Sequence, residues 1–119
     1  MPTLKYIAIF LALLLSYSLC NASEVSINIR VNLADGIMLT CLSGGGIIGH
    51  LDPQKPYHWT YPADKSESCN ANWNGLQAQF IAYDPQSDQG HFDIYWNVEK
   101  DGLYRSWDNK NFEKKVGWS

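Results

Sequence analysis

The sequence predicts an all-β protein, built as an antiparallel β-sandwich of about eight short strands with one disulfide. Three observations predict this class. Apolar and polar residues alternate with a period of two along most of the chain, which is typical of strands with one buried face. Turn residues recur every 8–12 positions, as in sandwiches. No stretch after the N-terminal segment has the 3.6-residue apolar repeat of a helix packed on a core.

The N-terminal segment is typical of an export signal. Lys5 is the only charge before Glu24, residues 6–15 are an unbroken apolar run, and Cys20-Asn21-Ala22 provides a small-x-small cleavage site. A membrane-spanning helix needs roughly 20 apolar residues, about twice this run. We therefore expect a signal peptide over 1–22, cleaved after Ala22 or one residue later, and no membrane insertion. The secreted, extracellular remainder, 23–119, has the size of one domain.

Charge and cysteine content narrow the predicted function. Loss of Lys5 leaves eight basic and twelve acidic residues, a net charge of −4, which argues against nucleic acid and against an anionic membrane surface as partners. Cys20 lies in the predicted signal, so the exported domain keeps only Cys41 and Cys69. In an oxidising compartment two cysteines most simply form a disulfide, and a pair of reactive thiols is the alternative.

Strands in the first half follow from the alternation. Residues 25–33 alternate apolar and polar, and Asp35-Gly36 is a strong hairpin signal that predicts a returning strand over 37–43. Gly44–Gly46 breaks that strand; it lacks the Lys and Ser/Thr of a phosphate loop, so we interpret it as a flexible turn. Tyr57, Trp59 and Tyr61 are predicted to share the face of a further strand.

Strands in the second half are separated by two more turn signals. Asn74-Gly75 joins a strand that ends at Trp73 to one over 76–82. A strand over 92–98 carries its apolar residues at even positions, so Phe92 is predicted to face the core. Asp101-Gly102 is the third turn. The last two strands are expected over 103–107 and near 112–118.

The longest polar loop is predicted to carry the binding surface. It spans 84–90, and two other irregular stretches cover 52–56 and 62–67. Loops cluster at the ends of sandwiches, where binding surfaces usually form. The residues predicted to contact a partner, from polarity and loop position, are Asp84, Gln86, Asp88 and Gln89.

No residue pattern points to catalysis, a metal or another cofactor. The spacings of His50, His58 and His91 match no metal-ligand motif. Asp84, Gln86 and Asp88 have the two-residue spacing of a calcium loop, but no Glu stands at the closing position. A nucleophile elbow of the G-x-S-x-G type is absent from the sequence. A carboxylate pair as in glycosidases is defined in space, so the sequence leaves it open. We expect a protein that is not an enzyme and has no cofactor.

Aromatic residues provide an alternative function. The chain has five Trp, seven Tyr and four Phe, and exposed ones could stack on sugar rings in a secreted carbohydrate-binding module. Trp73 and Trp96 fall on apolar faces and are predicted to fill the core. Tyr83, Tyr95 and Trp107 fall on the other faces and are the predicted surface aromatics.

Several short motifs follow one another along the exported domain. In chain order they are Val31-Asn32-Leu33, Cys41-Leu42-Ser43, Gly49-His50, Tyr57-His58-Trp59, Ser66-x-x-Cys69-x-x-x-Trp73, Trp96-x-Val98-x-x-Asp101-Gly102-Leu103-Tyr104 and a C-terminal Trp118. Their order and spacing resemble the plant self-incompatibility protein S1 family, the S-protein homologues. This resemblance covers essentially all of 23–119.

The resemblance implies a secreted β-sandwich without known enzymatic activity that acts as a ligand of a cell-surface protein receptor. We also expect the protein to be a monomer. Founding members mark self pollen for rejection through a pollen-surface receptor. This sequence departs from the family at two places. Members usually carry four cysteines, and here Ile94 and Tyr95 stand near the expected later pair, which suggests that Cys41 and Cys69 bond to each other. The loop before Gly49-His50 is usually acid-rich, and here it is Gly44–Gly46.

Overall fold

The computed structural model describes residues 24–42 and 49–119, and these form nine strands. The predicted signal peptide with Cys20 and the predicted Gly44–Gly46 turn lie outside the described residues. Among the described residues, no helix has the length and apolar character needed to cross a lipid bilayer. The strands are β1 (Glu24–Val31), β2 (Ile37–Cys41), β3 (Gly49–Leu51), β4 (Tyr57–Pro62), β5 (Glu67–Trp73), β6 (Leu76–Tyr83), β7 (Asp93–Glu99), β8 (Gly102–Ser106) and β9 (Glu113–Val116).

Two sheets divide these strands. The five-stranded sheet has the order β4-β1-β7-β8-β9, and the four-stranded sheet has the order β3-β2-β5-β6. Their buried side chains form one hydrophobic core. The all-β class, the sandwich and the disulfide are thereby confirmed. The sandwich is antiparallel except for β1 and β7, which pair in parallel.

Strand β1 is an interior strand of the five-stranded sheet, between the edge strand β4 and β7. Its apolar positions Val25, Ile27, Ile29 and Val31 are all buried, as the alternation predicts. Full burial of such a side chain contributes about 1.5–3 kcal/mol relative to exposure. Because β4 and β7 occupy its two sides, β1 has no free edge for another strand.

This position explains why the hairpin predicted at Asp35-Gly36 is wrong. The turn forms, with Gly36 at φ 72°, but it carries the chain from β1 into the other sheet. There β2 pairs with β3 and β5 instead of β1. A side chain at Gly36 would meet the carbonyl oxygen of Leu51, so this crossing requires glycine.

The other two turn signals lie in hairpins. Asn74 and Gly75 have φ of 48° and 80°, and they connect the paired residues Trp73 and Leu76. Two positive φ values are what a tight hairpin turn between twisted strands requires. The second hairpin joins β7 to β8, but its loop is Lys100-Asp101, because Gly102 already pairs with Glu99.

The disulfide joins two neighbouring strands of the smaller sheet. Cys41 of β2 and Cys69 of β5 lie directly opposite each other and are covalently linked. Both are buried. The predicted pairing is confirmed, and the alternative of two reactive thiols is excluded.

Candidate binding surface

The loop between β6 and β7, residues 84–92, is built around one buried carboxylate. Asp88 is only 2% exposed. One of its oxygens accepts hydrogen bonds from the Arg105 guanidinium at 3.2 Å and the Trp107 indole nitrogen at 2.8 Å. Its other oxygen accepts the backbone N–H of Asp84 at 2.8 Å. Asp88 therefore ties the loop to β8 and the residue after it.

Asp84 forms the turn that begins the loop. Its Oδ1 accepts the backbone N–H of Gln86 at 3.0 Å, and its Oδ2 accepts the Ser87 hydroxyl at 3.1 Å. The backbone N–H of Asp88 returns to the Asp84 carbonyl at 2.8 Å. Local hydrogen bonds of this kind are why Asp and Ser favour turns.

An aromatic stack braces the same loop from the side. The His91 and Trp107 rings are stacked, 3.9 Å apart and 9° from parallel. The Arg105 guanidinium lies 4.1 Å from the centre of the Trp107 ring, as in a cation–π contact. Arg105 thus holds both Asp88 and Trp107, and this contact was not predicted from sequence.

The predicted contact residues divide into two groups. Gln86 and Gln89 are exposed and Asp84 is half-buried, so their role in partner binding stays a prediction. Asp88 is corrected to a positioning role, because its side chain is buried and both oxygens are used inside the protein. An Asp in a polar loop is normally solvated, and only its distant partners Arg105 and Trp107 reveal its burial.

Two of the aromatic predictions are wrong. Tyr83 is buried, because the β5–β6 register shifts between Glu67 and Ser68 and this bulge turns Tyr83 toward the core. Its hydroxyl donates to the Ala63 carbonyl at 2.7 Å, and burial raises its pKa above 10.0. Phe92 is 59% exposed, because it lies one residue before β7 begins.

The remaining aromatic residues largely follow the predictions. Trp96 is buried and donates to the Ala82 carbonyl at 3.0 Å. Trp73 is only partly buried and packs against Trp118, with ring centres 5.4 Å apart. Trp107 is 38% exposed and Tyr95 is half-buried.

The five-stranded sheet carries a second carboxylate-centred turn after β8. Asp108 accepts the backbone N–H groups of Lys110 and Asn111 at 2.9 and 2.8 Å, and also the Ser106 hydroxyl. These hydrogen bonds, the Asn111 backbone bond first, hold the Asp108 pKa well below its ordinary value of 3.8.

Among residues 24–42 and 49–119, one group of three side chains is close enough together to suggest a metal site. Cys41, Glu67 and Cys69 bring their side-chain atoms within 4.8 Å of one another. The two sulfurs are bonded to each other in the disulfide, so they are not available as thiolate ligands. The prediction that the protein needs no metal stays a prediction.

A surface cavity of about 760 Å³ adjoins the loop. It runs along β6, from the outer face of the four-stranded sheet across the strand edge toward β9. Its size is that of an ordinary ligand pocket. The residues that line it along β6 and toward β9 include Thr40, Asn70, Gln79, Phe80, Ile81, Trp96, Lys115 and Val116.

Comparison of the chain with protein-family models, with curated proteins and with solved structures finds no match in any of the three.

Proposed function

We propose that the protein is a secreted, non-enzymatic ligand of the plant self-incompatibility protein S1 family, recognised as a monomer by a cell-surface protein receptor. The order of sequence motifs supports the family. The buried disulfide supports an oxidising, extracellular location, because such bonds persist mainly in secreted proteins.

The observation that carries the proposal is the internal bracing of the loop 84–92. Asp84, Asp88 and the stack of His91 on Trp107 hold its backbone, while Gln86, Gln89 and Phe92 stay exposed. A loop ordered before binding loses less conformational entropy when a partner docks. Exposed amides and one aromatic side chain on such a loop suit recognition by a protein.

The use of the loop's acidic groups supports binding over catalysis. Both carboxylates of the loop accept hydrogen bonds from their own protein, and Asp88 is also paired with Arg105. A catalytic acid or base needs an oxygen directed at substrate. The loop carboxylates of this protein maintain the shape of the surface instead.

A saturable cell-binding measurement tests the proposal. Fluorescently labelled, disulfide-bonded protein is added to pollen or other intact cells of the source plant, with excess unlabelled protein as competitor. We expect saturable, competed binding that falls about tenfold or more in the triple variant Gln86→Ala, Gln89→Ala, Phe92→Ala. The double variant His58→Ala, Thr60→Ala alters exposed residues on the outer face of β4 and is the matched control.

Two kinds of outcome would contradict the proposal. Binding that does not saturate on any cell type, or that survives removal of surface proteins with protease, contradicts a protein receptor. Equal loss in the triple variant and the β4 control contradicts the assignment to the loop.

A secreted carbohydrate-binding module is the second candidate, favoured by the exposure of Phe92 and Trp107. Trp107 already contacts His91 and Arg105 through its ring, which leaves Phe92 as the more available aromatic. Binding on a glycan array that disappears in Phe92→Ala, together with protease-resistant cell binding, would select this candidate.

A further inference from the structure

Strand β6 has one edge that is free along half of its length. In the hairpin with β5, Leu76, Ala78 and Phe80 exchange main-chain hydrogen bonds with their partners, so Gln77, Gln79 and Ile81 direct theirs to the opposite side. Gln77 confirms this direction, because its N–H and carbonyl pair with Ser119 at 3.0 Å each. Within the described part of the chain, Gln79 and Ile81 have no corresponding partner.

One residue pair shows that the outward main-chain groups of this edge can take a strand-like partner. Ser119 and Gln77 form a reciprocal pair, as neighbouring strands do in an antiparallel sheet. The residues before Ser119 diverge from β6, because β9 belongs to the other sheet, where Val116 pairs with Leu103. The cavity beside β6 opens where the two strands diverge, with Gln79 and Ile81 on one side and Lys115 and Val116 on the other.

Of the four edge strands among the described residues, β6 has the fewest features that would prevent strand addition. Natural sheets protect their edges with short strands, proline or charge. The strand β3 has three residues, β4 is preceded by Pro56 and ends on Pro62, and β9 reads Glu113-Lys114-Lys115-Val116. The eight residues of β6, by contrast, include no charge and no proline.

The surface around this edge indicates what it would bind. The outer face beside β6 presents uncharged side chains, among them Thr40, Asn70 and Gln79, while Ile81 is 51% exposed. The charged residues of the cavity lining balance one another, because it includes two acids and two bases, and one acid is paired with one base inside the protein: Asp84, Asp88, Arg105 and Lys115. The floor of the cavity includes Phe80 and Trp96, whose rings contact each other at 4.8 Å. A strand added here would place alternate side chains on this aromatic floor and on the uncharged outer face.

We propose that β6 binds an extended, uncharged peptide segment of a protein partner by strand addition, with main-chain pairing to Gln79 and Ile81. The inference rests on the proposed function in one respect, that the partner is a protein. Main-chain hydrogen bonds provide the affinity in this mode, and the pockets beside the edge select the side chains.

A second copy of this chain fits the edge less well. Two β6 strands paired about a symmetry axis at Gln79 would each need the position opposite Gln77, which Ser119 already occupies. A single extended segment of another protein can pair with Gln79 and Ile81, next to the position that Ser119 occupies, and lie within the cavity.

Selection from a random seven-residue peptide library tests the proposal. Peptides are selected on the full exported protein, and their affinities are then measured for wild type, Gln79→Pro and Gln79→Thr. Proline removes the outward N–H at a position where β5 does not need it, and threonine keeps the N–H and suits a strand. We expect uncharged peptides whose affinity falls about tenfold or more in Gln79→Pro and changes less than threefold in Gln79→Thr.

Peptide chemistry keeps the test decisive if Gln79→Pro does not fold. The selected peptide is synthesised with N-methyl groups on its odd or on its even residues. Strand addition predicts that one set abolishes binding and the other is tolerated, because alternate N–H groups face β6. Equal effects of the two sets, equal binding to Gln79→Pro and Gln79→Thr, or no enriched peptide would each overturn the proposal.

Two further results separate this inference from the proposed function. A concentration-dependent dimer that Gln79→Pro abolishes would assign the edge to self-association and overturn the peptide site. Edge-dependent peptide binding without saturable cell binding would instead retain the site and refute the receptor proposal.

Discussion

The strands β6 and β9 lie on the same side of the sandwich, and both are edge strands, but they differ in the charge that their side chains carry. In β6 the inward side chains Ala78, Phe80 and Ala82 are buried, and its sequence carries no charge. In β9 three of four side chains are charged and only Val116 packs partly on the core. Charge at the edge of β9 disfavours strand pairing, whereas the outer edge of β6 is occupied, among the described residues, only by Ser119 at one end.

The largest expected difference between the two strands is their contribution to stability. Phe80→Ala removes a buried ring that contacts Trp96 and should lower the free energy of unfolding by about 3–5 kcal/mol. Val116→Ala, in the half-exposed β9, should cost about 1 kcal/mol. Urea unfolding followed by tryptophan fluorescence measures both. Similar losses in the two variants would show that β9 is as much a part of the core as β6.

The disulfide stabilises the sheet that contains β6. Replacing Cys41 and Cys69 together with Ala should lower the free energy of unfolding by about 3–4 kcal/mol, because the bond closes a loop of roughly 29 residues. The same urea titration measures this change, with addition of reductant to the wild type as an independent route to the same state. A loss below about 1 kcal/mol would show that packing alone holds β2 against β5.

The alternation of apolar and polar residues predicted which side chains of a strand are buried better than it predicted which strands pair with each other. Val25 through Val31 and the turn at Asn74-Gly75 follow from local rules, which hold wherever pairing is between adjacent segments. Asp35-Gly36 satisfies the same local rule, yet its strand pairs with β5, since β1 already has two neighbours. Pairing partners depend on distant parts of the chain, and local patterns do not encode them.

The candidate surface was predictable to a smaller extent. Polarity located residues 84–90 of the loop, but it could not separate exposed Gln86 from buried Asp88, because burial of Asp88 depends on Arg105 and Trp107. The reversed direction of Tyr83 results from a bulge with no glycine or proline to mark it. The free edge of β6 required the complete strand order.

Asp88 connects the loop after β6 to β8, the neighbour of β9. Asp88→Asn keeps the size of the side chain but loses the charge opposite Arg105 and turns one acceptor into a donor. We expect a loss of about 2 kcal/mol in the free energy of unfolding. Asp93→Asn, an exposed acid at the start of β7, is the control and should change it by less than about 0.5 kcal/mol. Equal effects of the two substitutions would contradict the buried role of Asp88.

The turn between β8 and β9 should respond to acid. Because the pKa of Asp108 is lowered in the folded protein, its contribution to stability is fully present above the unfolded value of 3.8 and is lost progressively as pH falls from there toward the lower pKa of the folded state. The difference in melting temperature between wild type and Asp108→Asn, measured between pH 6 and pH 2.5, should therefore become smaller toward the acid end. A difference that stays constant over this range would show that Asp108 is not ionised when it caps the turn.

Amide hydrogen exchange along β6, followed by NMR, tests the central claim of a free edge most directly. Ala78 and Phe80 donate to β5 and Gln77 donates to Ser119, so these three amides should exchange slowly. The account predicts fast exchange at Gln79 and Ile81, between slow neighbours, and slowing at these two positions when a selected peptide is added. Protection of Gln79 and Ile81 equal to that of Ala78 and Phe80 in the monomer without peptide would contradict a free edge.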